Sequence, residues 1–213
     1  MVELIRKIKR KYQREMGFAQ DLVIENLYRF FPKAVLHGGT FIWRCFNGNR
    51  FSEDIDIFLP RKNERKIREF FRELERIGFK IEKLRIKERS VFSKIIYHKI
   101  LIRVEFVFKR VKGELFDYEC LDGRKIPILG LSVRDLIEQK INAFIKRKKI
   151  RDLYDVFFLL KFVKKDEKLR KKIETLIKKF EKPKDEEELK KIIMFGHAPT
   201  SEEILNYLKR WME

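Results

Sequence analysis

Apolar residues recur at helical spacing twice near the N-terminus, at Val2, Ile5, Ile8 and Tyr12 and again at Leu22, Val23, Leu27, Phe30 and Phe31. That spacing predicts helices over Met1 to Arg14 and Phe18 to Phe31, the second stopped by Pro32. A short apolar run from Ala34 to Leu36 leads into His37-Gly38-Gly39-Thr40, a helical-looking stretch from Phe41 to Phe46 and the turn Asn47-Gly48-Asn49. Asp54 to Leu59 alternates acid with aliphatic, as a strand does, and Pro60 to Gly78 reads as a charged helix with Ile67, Phe70, Phe71 and Leu74 on one side. Phe79 to Arg89, Val91 to His98 and Leu101 to Phe108 are rich in β-branched and aromatic residues and predict consecutive strands, with Ile126 to Leu129 as one more. From Ser132 onward the period is helical, with helices expected over 132–147, 151–162, 166–181, 185–195 and 201–211, Ser132 and Asp135 marking the first start. The expected architecture is an α/β (α+β) body over 1–131 followed by a helical part over 132–213. Tyr12, Trp43, Trp211 and the many Phe residues are expected to fill the core.

Composition adds constraints. With 44% hydrophobic residues and 20 Phe in 213, there is material for a real core, so the basic balance is not that of a disordered arm. Cys45 and Cys120 are far apart and lack a neighbouring His cluster, which argues against a zinc site or a disulfide framework. No apolar run approaches the ~20 residues that cross a bilayer, and Met1 to Arg14 lacks the apolar stretch of a secretory signal. A cytoplasmic protein without membrane contact is expected. A charged content of 40% resembles heat-adapted, thermophile-like surfaces. Such surfaces balance their signs, whereas 52 Lys and Arg against 33 Asp and Glu leave a net charge of +19. An anionic partner is the natural inference.

Candidate chemistry concentrates between His37 and Leu59. Gly38 and Gly39 after a short strand allow a turn with bare backbone N–H groups, and the following helix points its positive end at the same spot. A phosphate would be held there, with the Thr40 hydroxyl as an extra donor. Asp54 and Asp56, two apart on a strand, project from one face about 7 Å apart while Ile55 and Ile57 pack inward. Carboxylates so placed can share hard divalent cations such as Mg²⁺ or Mn²⁺. Glu105 is the one acid in an otherwise apolar strand segment; it is either answered by Arg103 or a nearby Lys, or completes a three-carboxylate cluster if its strand lies beside Asp54 to Leu59. Ser52 could contact a phosphate oxygen or cap a turn. Lys140 falls on the apolar stripe of its helix, so its ammonium either snorkels outward or meets an anion. Asp152 and Asp155 share one side of the next helix; Asp152 could simply answer the helix dipole, and Arg151 could pair with Asp155 at i+4.

Leu36-His37-Gly38-Gly39-Thr40, Arg50-Phe51-Ser52-Glu53-Asp54-Ile55-Asp56-Ile57, Lys140 and Arg151-Asp152-Leu153-Tyr154-Asp155-Val156 together resemble the AbiEii/AbiGii toxin family, within the DNA polymerase beta-like nucleotidyltransferase superfamily. The resemblance runs from about Phe18 to about Leu160. His37 departs from the Lys or Gly expected there, and Glu105 stands where many relatives carry Asp. The resemblance implies a nucleotidyltransferase-type mixed sheet with flanking helices and a C-terminal helical bundle that adds active-site residues. It implies Asp54, Asp56 and Glu105 as metal ligands, Gly38, Gly39, Thr40, Ser52 and Lys140 as nucleotide-binding groups, and Asp152 or Asp155 as a further catalytic acid. The substrate would be an NTP, the acceptor an RNA such as a tRNA 3′ end, and the partner a cognate antitoxin. Two rivals are a non-catalytic nucleic-acid or partner-binding module on the same fold, and transfer to a protein or small-molecule hydroxyl.

Overall fold

The computed structural model describes residues 4–213; Met1 to Glu3, where the first predicted helix begins, lie outside the described residues. The chain forms two compact units divided between Leu131 and Ser132.

The first unit opens with a short helix α1 (Leu4–Lys7) and a long one, α2 (Lys11–Phe30). The break between helices falls at Ile8 to Arg10 and not near Gly17, a correction to the boundaries read from the sequence. Gly17 sits inside α2, where its carbonyl accepts from the buried Arg44 side chain at 2.7 Å. The strands are β1 (Val35–His37), β2 (Asp54–Leu59), β3 (Lys80–Ile86), β4 (Ser90–Tyr97), β5 (Ile100–Phe108), β6 (Gly113–Glu119) and β7 (Lys125–Leu131). They make one seven-stranded mixed sheet in the order β3-β4-β5-β2-β1-β7-β6. β1 runs antiparallel to β2 and parallel to β7, β2 is parallel to β5, and the remaining pairs are antiparallel. Sequence patterning missed β6, whose Glu114, Asp117 and Glu119 interrupt any apolar run and whose Leu115 is exposed.

Helix α4 (Glu64–Arg76) turns Ile67, Phe70, Phe71 and Leu74 into the core, and the Asn63 side chain caps it by accepting from the Lys66 backbone N–H at 3.1 Å. Phe31, Phe70 and Phe106 meet edge to face or tilted at 5.9–6.1 Å between centroids, tying α2 and α4 to one face of β5. On that face Ile55, Ile57, Ile102, Val104 and Phe106 are fully buried. Side chains of the opposite face, from Leu101 to Val107 on β5 and from Ser90 to Ile96 on β4, remain partly open to solvent. Asp54 and Asp56 lie on this open face.

The second unit contains α5 (Val133–Arg147), α6 (Ile150–Leu159) continued by a 3₁₀ turn, α7 (Glu167–Lys178), α8 (Glu188–Ile192) and α9 (Ser201–Met212). Ser132 caps α5 by accepting from the Asp135 N–H at 3.1 Å, and Thr200 with Glu203 forms a reciprocal capping box on α9. The helix expected over 185–195 shrinks to a single short turn, because the charge-dense stretch around Pro183 supplies few apolar anchors. Not all the expected core aromatics are buried: Tyr12, Phe18, Phe162 and Phe195 are exposed and Trp211 is half-exposed, whereas Trp43 is enclosed. Leu4, Ile8, Met16 and Leu208 close by are fully buried, so Tyr12 and Trp211 are turned to the outer side of their helices and are not short of a core to enter. Among the described residues, no helix is long and apolar enough to cross a membrane.

Candidate active site

The turn after β1 is built by close approach. His37 ends the strand and precedes α3 (Gly38–Cys45), and Gly38 has φ +79°, a backbone state that a side chain resists. A Cβ on Gly38 would stand 2.1 Å from Oδ2 of Asp56. One on Gly39 would stand 2.4 Å from the Ser52 hydroxyl and 2.6 Å from the Arg50 guanidinium. The two glycines therefore exist so that the Asp56 carboxylate, Ser52 and Arg50 can lie directly on the backbone that opens α3. Further bonds fix this loop: Gln20 donates to the Ser52 carbonyl at 2.9 Å, and Thr40 donates to the Asp54 carbonyl. The Thr40 hydroxyl, which sequence offers as a phosphate donor, is thus buried and tied to β2. His37 stacks on Phe58 with centroids 3.9 Å apart and planes 16° from parallel.

β2 pairs with β5 in a register that sets Asp56 opposite Glu105 and Asp54 opposite Arg103. Sequence leaves it open whether Glu105 meets Arg103 or joins the two aspartates. The register puts Glu105 in the row of Asp56, on the half-open face, so it is not an acid forced into an apolar interior. Arg103 instead grips Asp54, with Nε to Oδ1 and an Nη to Oδ2 both at 2.7 Å. This bidentate fork is the strong form of the pair, and its hydrogen bonds to Asp54 raise the Arg103 pKa above its ordinary value. Three carboxylates on one sheet face are the hard oxygen donors that a divalent cation takes. Among the described residues, however, no three such groups converge as they stand, and Asp54 has both oxygens in the fork.

The second unit brings its own predicted residues together. Lys140 is 7% exposed, and its Nζ lies 2.8 Å from Asp155 and 3.9 Å from Asp152. It does not snorkel: α5 and α6 enclose it. Asp152 is fully buried and held in a fork by Arg147 at 2.6 and 2.7 Å, far more than a first-turn charge meeting the helix dipole. Asp155 takes Lys140, where i+4 spacing offers it Arg151. Arg147 escaped sequence reading because five residues and a left-handed turn at Lys148 separate it from Asp152, a pairing that no helical period announces.

The model of the family "Nucleotidyl transferase AbiEii toxin, Type IV TA system" matches residues 25–205. The chain belongs to the AbiEii family. Two solved structures from Helicobacter pylori share the fold. One, described as a candidate nucleotidyltransferase, is 15% identical, with a TM-score of 0.62 over 93% of this chain and 95% of the other. The second, JHP933, is 16% identical, with a TM-score of 0.60 over 93% and 92%. No curated protein matches the sequence. Membership of the AbiEii family makes this chain a nucleotidyltransferase by family and fold, and all the motif residues of the two units fall inside the matched range.

Proposed function

We propose that the protein transfers a nucleoside monophosphate from an NTP to an acceptor hydroxyl on RNA, with a tRNA 3′ end as the expected acceptor, and acts as the toxin of a pair with an antitoxin. The observation that carries the chemistry is the register of β2 on β5, which lines up Asp54, Asp56 and Glu105 on one open face above the Gly38-Gly39 turn. Asp54, Asp56 and Glu105 are the residues that would hold Mg²⁺ or Mn²⁺; such an ion neutralises charge gathering on a transferring phosphoryl group. The backbone N–H groups of Gly38 and Gly39 at the head of α3 would meet phosphate oxygens, with Ser52 beside them. Thr40 acts by anchoring α3 to β2. Lys140, on its Asp152 and Asp155 supports, is the helical unit's candidate for the nucleotide's phosphates.

In the reaction the acceptor oxygen forms a bond to the α-phosphorus while the bond from that phosphorus to the bridging oxygen breaks, and pyrophosphate leaves. The hydroxyl proton passes to Glu105, because Asp152 is fully buried with both oxygens held by Arg147. Asp54→Asn combined with Asp56→Asn is expected to abolish transfer of label from α-labelled NTP to RNA; undiminished transfer would remove the assignment. Each of the four labelled NTPs offered with total RNA identifies base and acceptor, and label moving equally well to protein or a small molecule would reassign the acceptor class.

The Arg103 fork on Asp54 favours one rival, a binding module whose carboxylates serve structure. Such a module gains no joint stabilisation from NTP with Mg²⁺ in a thermal shift, whereas a transferase does.

A further inference from the structure

Side chains cross the open face of the sheet in register. Lys83, Lys94, Arg103 and Asp54 form one row from β3 to β2, and Arg85, Phe92, Glu105 and Asp56 form the next. Each row starts with cations at the sheet edge and ends at the carboxylates. With strands about 4.8 Å apart, the path from Lys83 to Asp54 is roughly 14 Å. Leu101 and Val107 flank the rows on β5, each 39% exposed, and Lys83 Nζ lies 5.8 Å from the Phe92 ring centroid.

Three cations set directly opposite one another on adjacent strands repel, an arrangement that costs stability. Among the described residues, Arg103 alone of the three meets a carboxylate. Lysines on an edge strand commonly serve to block sheet extension, which explains Lys83. It does not explain Lys94, which lies on the interior strand β4, nor a half-open aromatic beside the charges and two exposed aliphatics flanking them. Cations that follow a backbone, with an aromatic face between them, are the means by which unpaired nucleotides are held.

Resting on the transferase reading above, we propose that the open face of β3, β4 and β5 is the acceptor track. A single-stranded nucleic-acid 3′ end lies across it, with its phosphates on Lys83, Lys94 and Arg85 and an unpaired base on Phe92. Its terminal hydroxyl is thereby delivered to Asp54, Asp56 and Glu105.

The test is binding of a fluorescent twelve-nucleotide RNA, its DNA counterpart and polyglutamate in EDTA without nucleotide, over a salt series. Lys83→Gln with Lys94→Gln removes two phosphate contacts, so the slope of log affinity against log salt should shrink by about 1.4. Lys171→Gln with Lys178→Gln on α7 makes the same change in net charge and should leave the slope alone. Phe92→Ala should weaken the RNA by about tenfold, and Phe92→Leu, which preserves apolar packing, should weaken it too. A terminal 4-thiouridine should cross-link to the Ser90–Lys94 segment. Equal slope changes in the two lysine pairs, polyglutamate bound as tightly as RNA, or cross-links confined to other segments would overturn the track. Transfer from labelled NTP separates the two readings. Transfer that persists with an unchanged slope removes the track alone, and binding that follows the track without transfer to any acceptor removes the transferase alone.

Discussion

Arg103 decides what the candidate centre can do at the level of single side chains. Its fork takes both oxygens of Asp54, so a cation must compete with a guanidinium for that carboxylate. Arg103→Gln is therefore expected to tighten Mn²⁺ binding about tenfold, read by electron paramagnetic resonance. Arg103→Lys, which retains the charge but cannot form a planar fork, should tighten it too; tightening by Gln alone would show that simple repulsion, and not the fork, sets the affinity. The candidate acids themselves were legible, since Asp-x-Asp after Gly-Gly-Thr is a linear pattern. Their neighbour was half legible: Arg103 reads as a counterion, but for Glu105, because nothing in one strand reveals which residue stands opposite on another. The glycines show the same limit. Their spacing marks a turn, while the reason for it, the Asp56 carboxylate lying on Gly38, comes from β2.

Among the elements, the α5–α6 pair carries a large electrostatic cost. Lys140, Asp152, Asp155 and Arg147 place two acids and two bases at their junction, with both carboxylates fully buried. Removing one partner of a buried pair costs about 3–5 kcal/mol, whereas replacing both with apolar side chains is often neutral. Lys140→Ala is thus expected to lower unfolding free energy in urea by that amount, and Lys140→Met with Asp155→Leu to restore most of it. If Lys140 serves nucleotide binding, the double variant regains stability without regaining transfer; recovery of both would make the lysine purely structural. Helices and strands with strong periodicity were read from sequence close to their true limits, as for β2 and α5. The failures, among them β6, the join between α1 and α2 and the helix expected over 185–195, occur where charge or a glycine interrupts the period and tertiary contacts override local preference.

At the scale of the molecule, α2, α3 and the end of β6 are knotted by Arg44. Its guanidinium donates to the carbonyls of Gly17 and Glu119, pairs with Asp21 at 2.8 Å and lies 3.9 Å from the centre of the Trp43 ring. Burial holds the Asp21 carboxyl above its ordinary range, against the pull of Arg44 beside it. Arg44→Met leaves that buried acid and two carbonyls without their cation and should cost about 3–5 kcal/mol in urea unfolding, while Arg44→Lys recovers only part. Many of the other basic residues sit in exposed pairs such as Arg68 with Glu64 and Lys178 with Glu174. Those pairs contribute little each, so the excess of +19 matters where, among the described residues, cations lack acids, as at Lys83 and Lys94. Sequence alone determined the periodic elements, the sign of the charge and the family motif, because each is a property of residue order. Tertiary structure alone decided that Glu105 stands beside Asp56, that Arg103 holds Asp54, that Lys140 is enclosed and that the cations line up. Those depend on strand register and helix packing, which join residues that the chain keeps far apart.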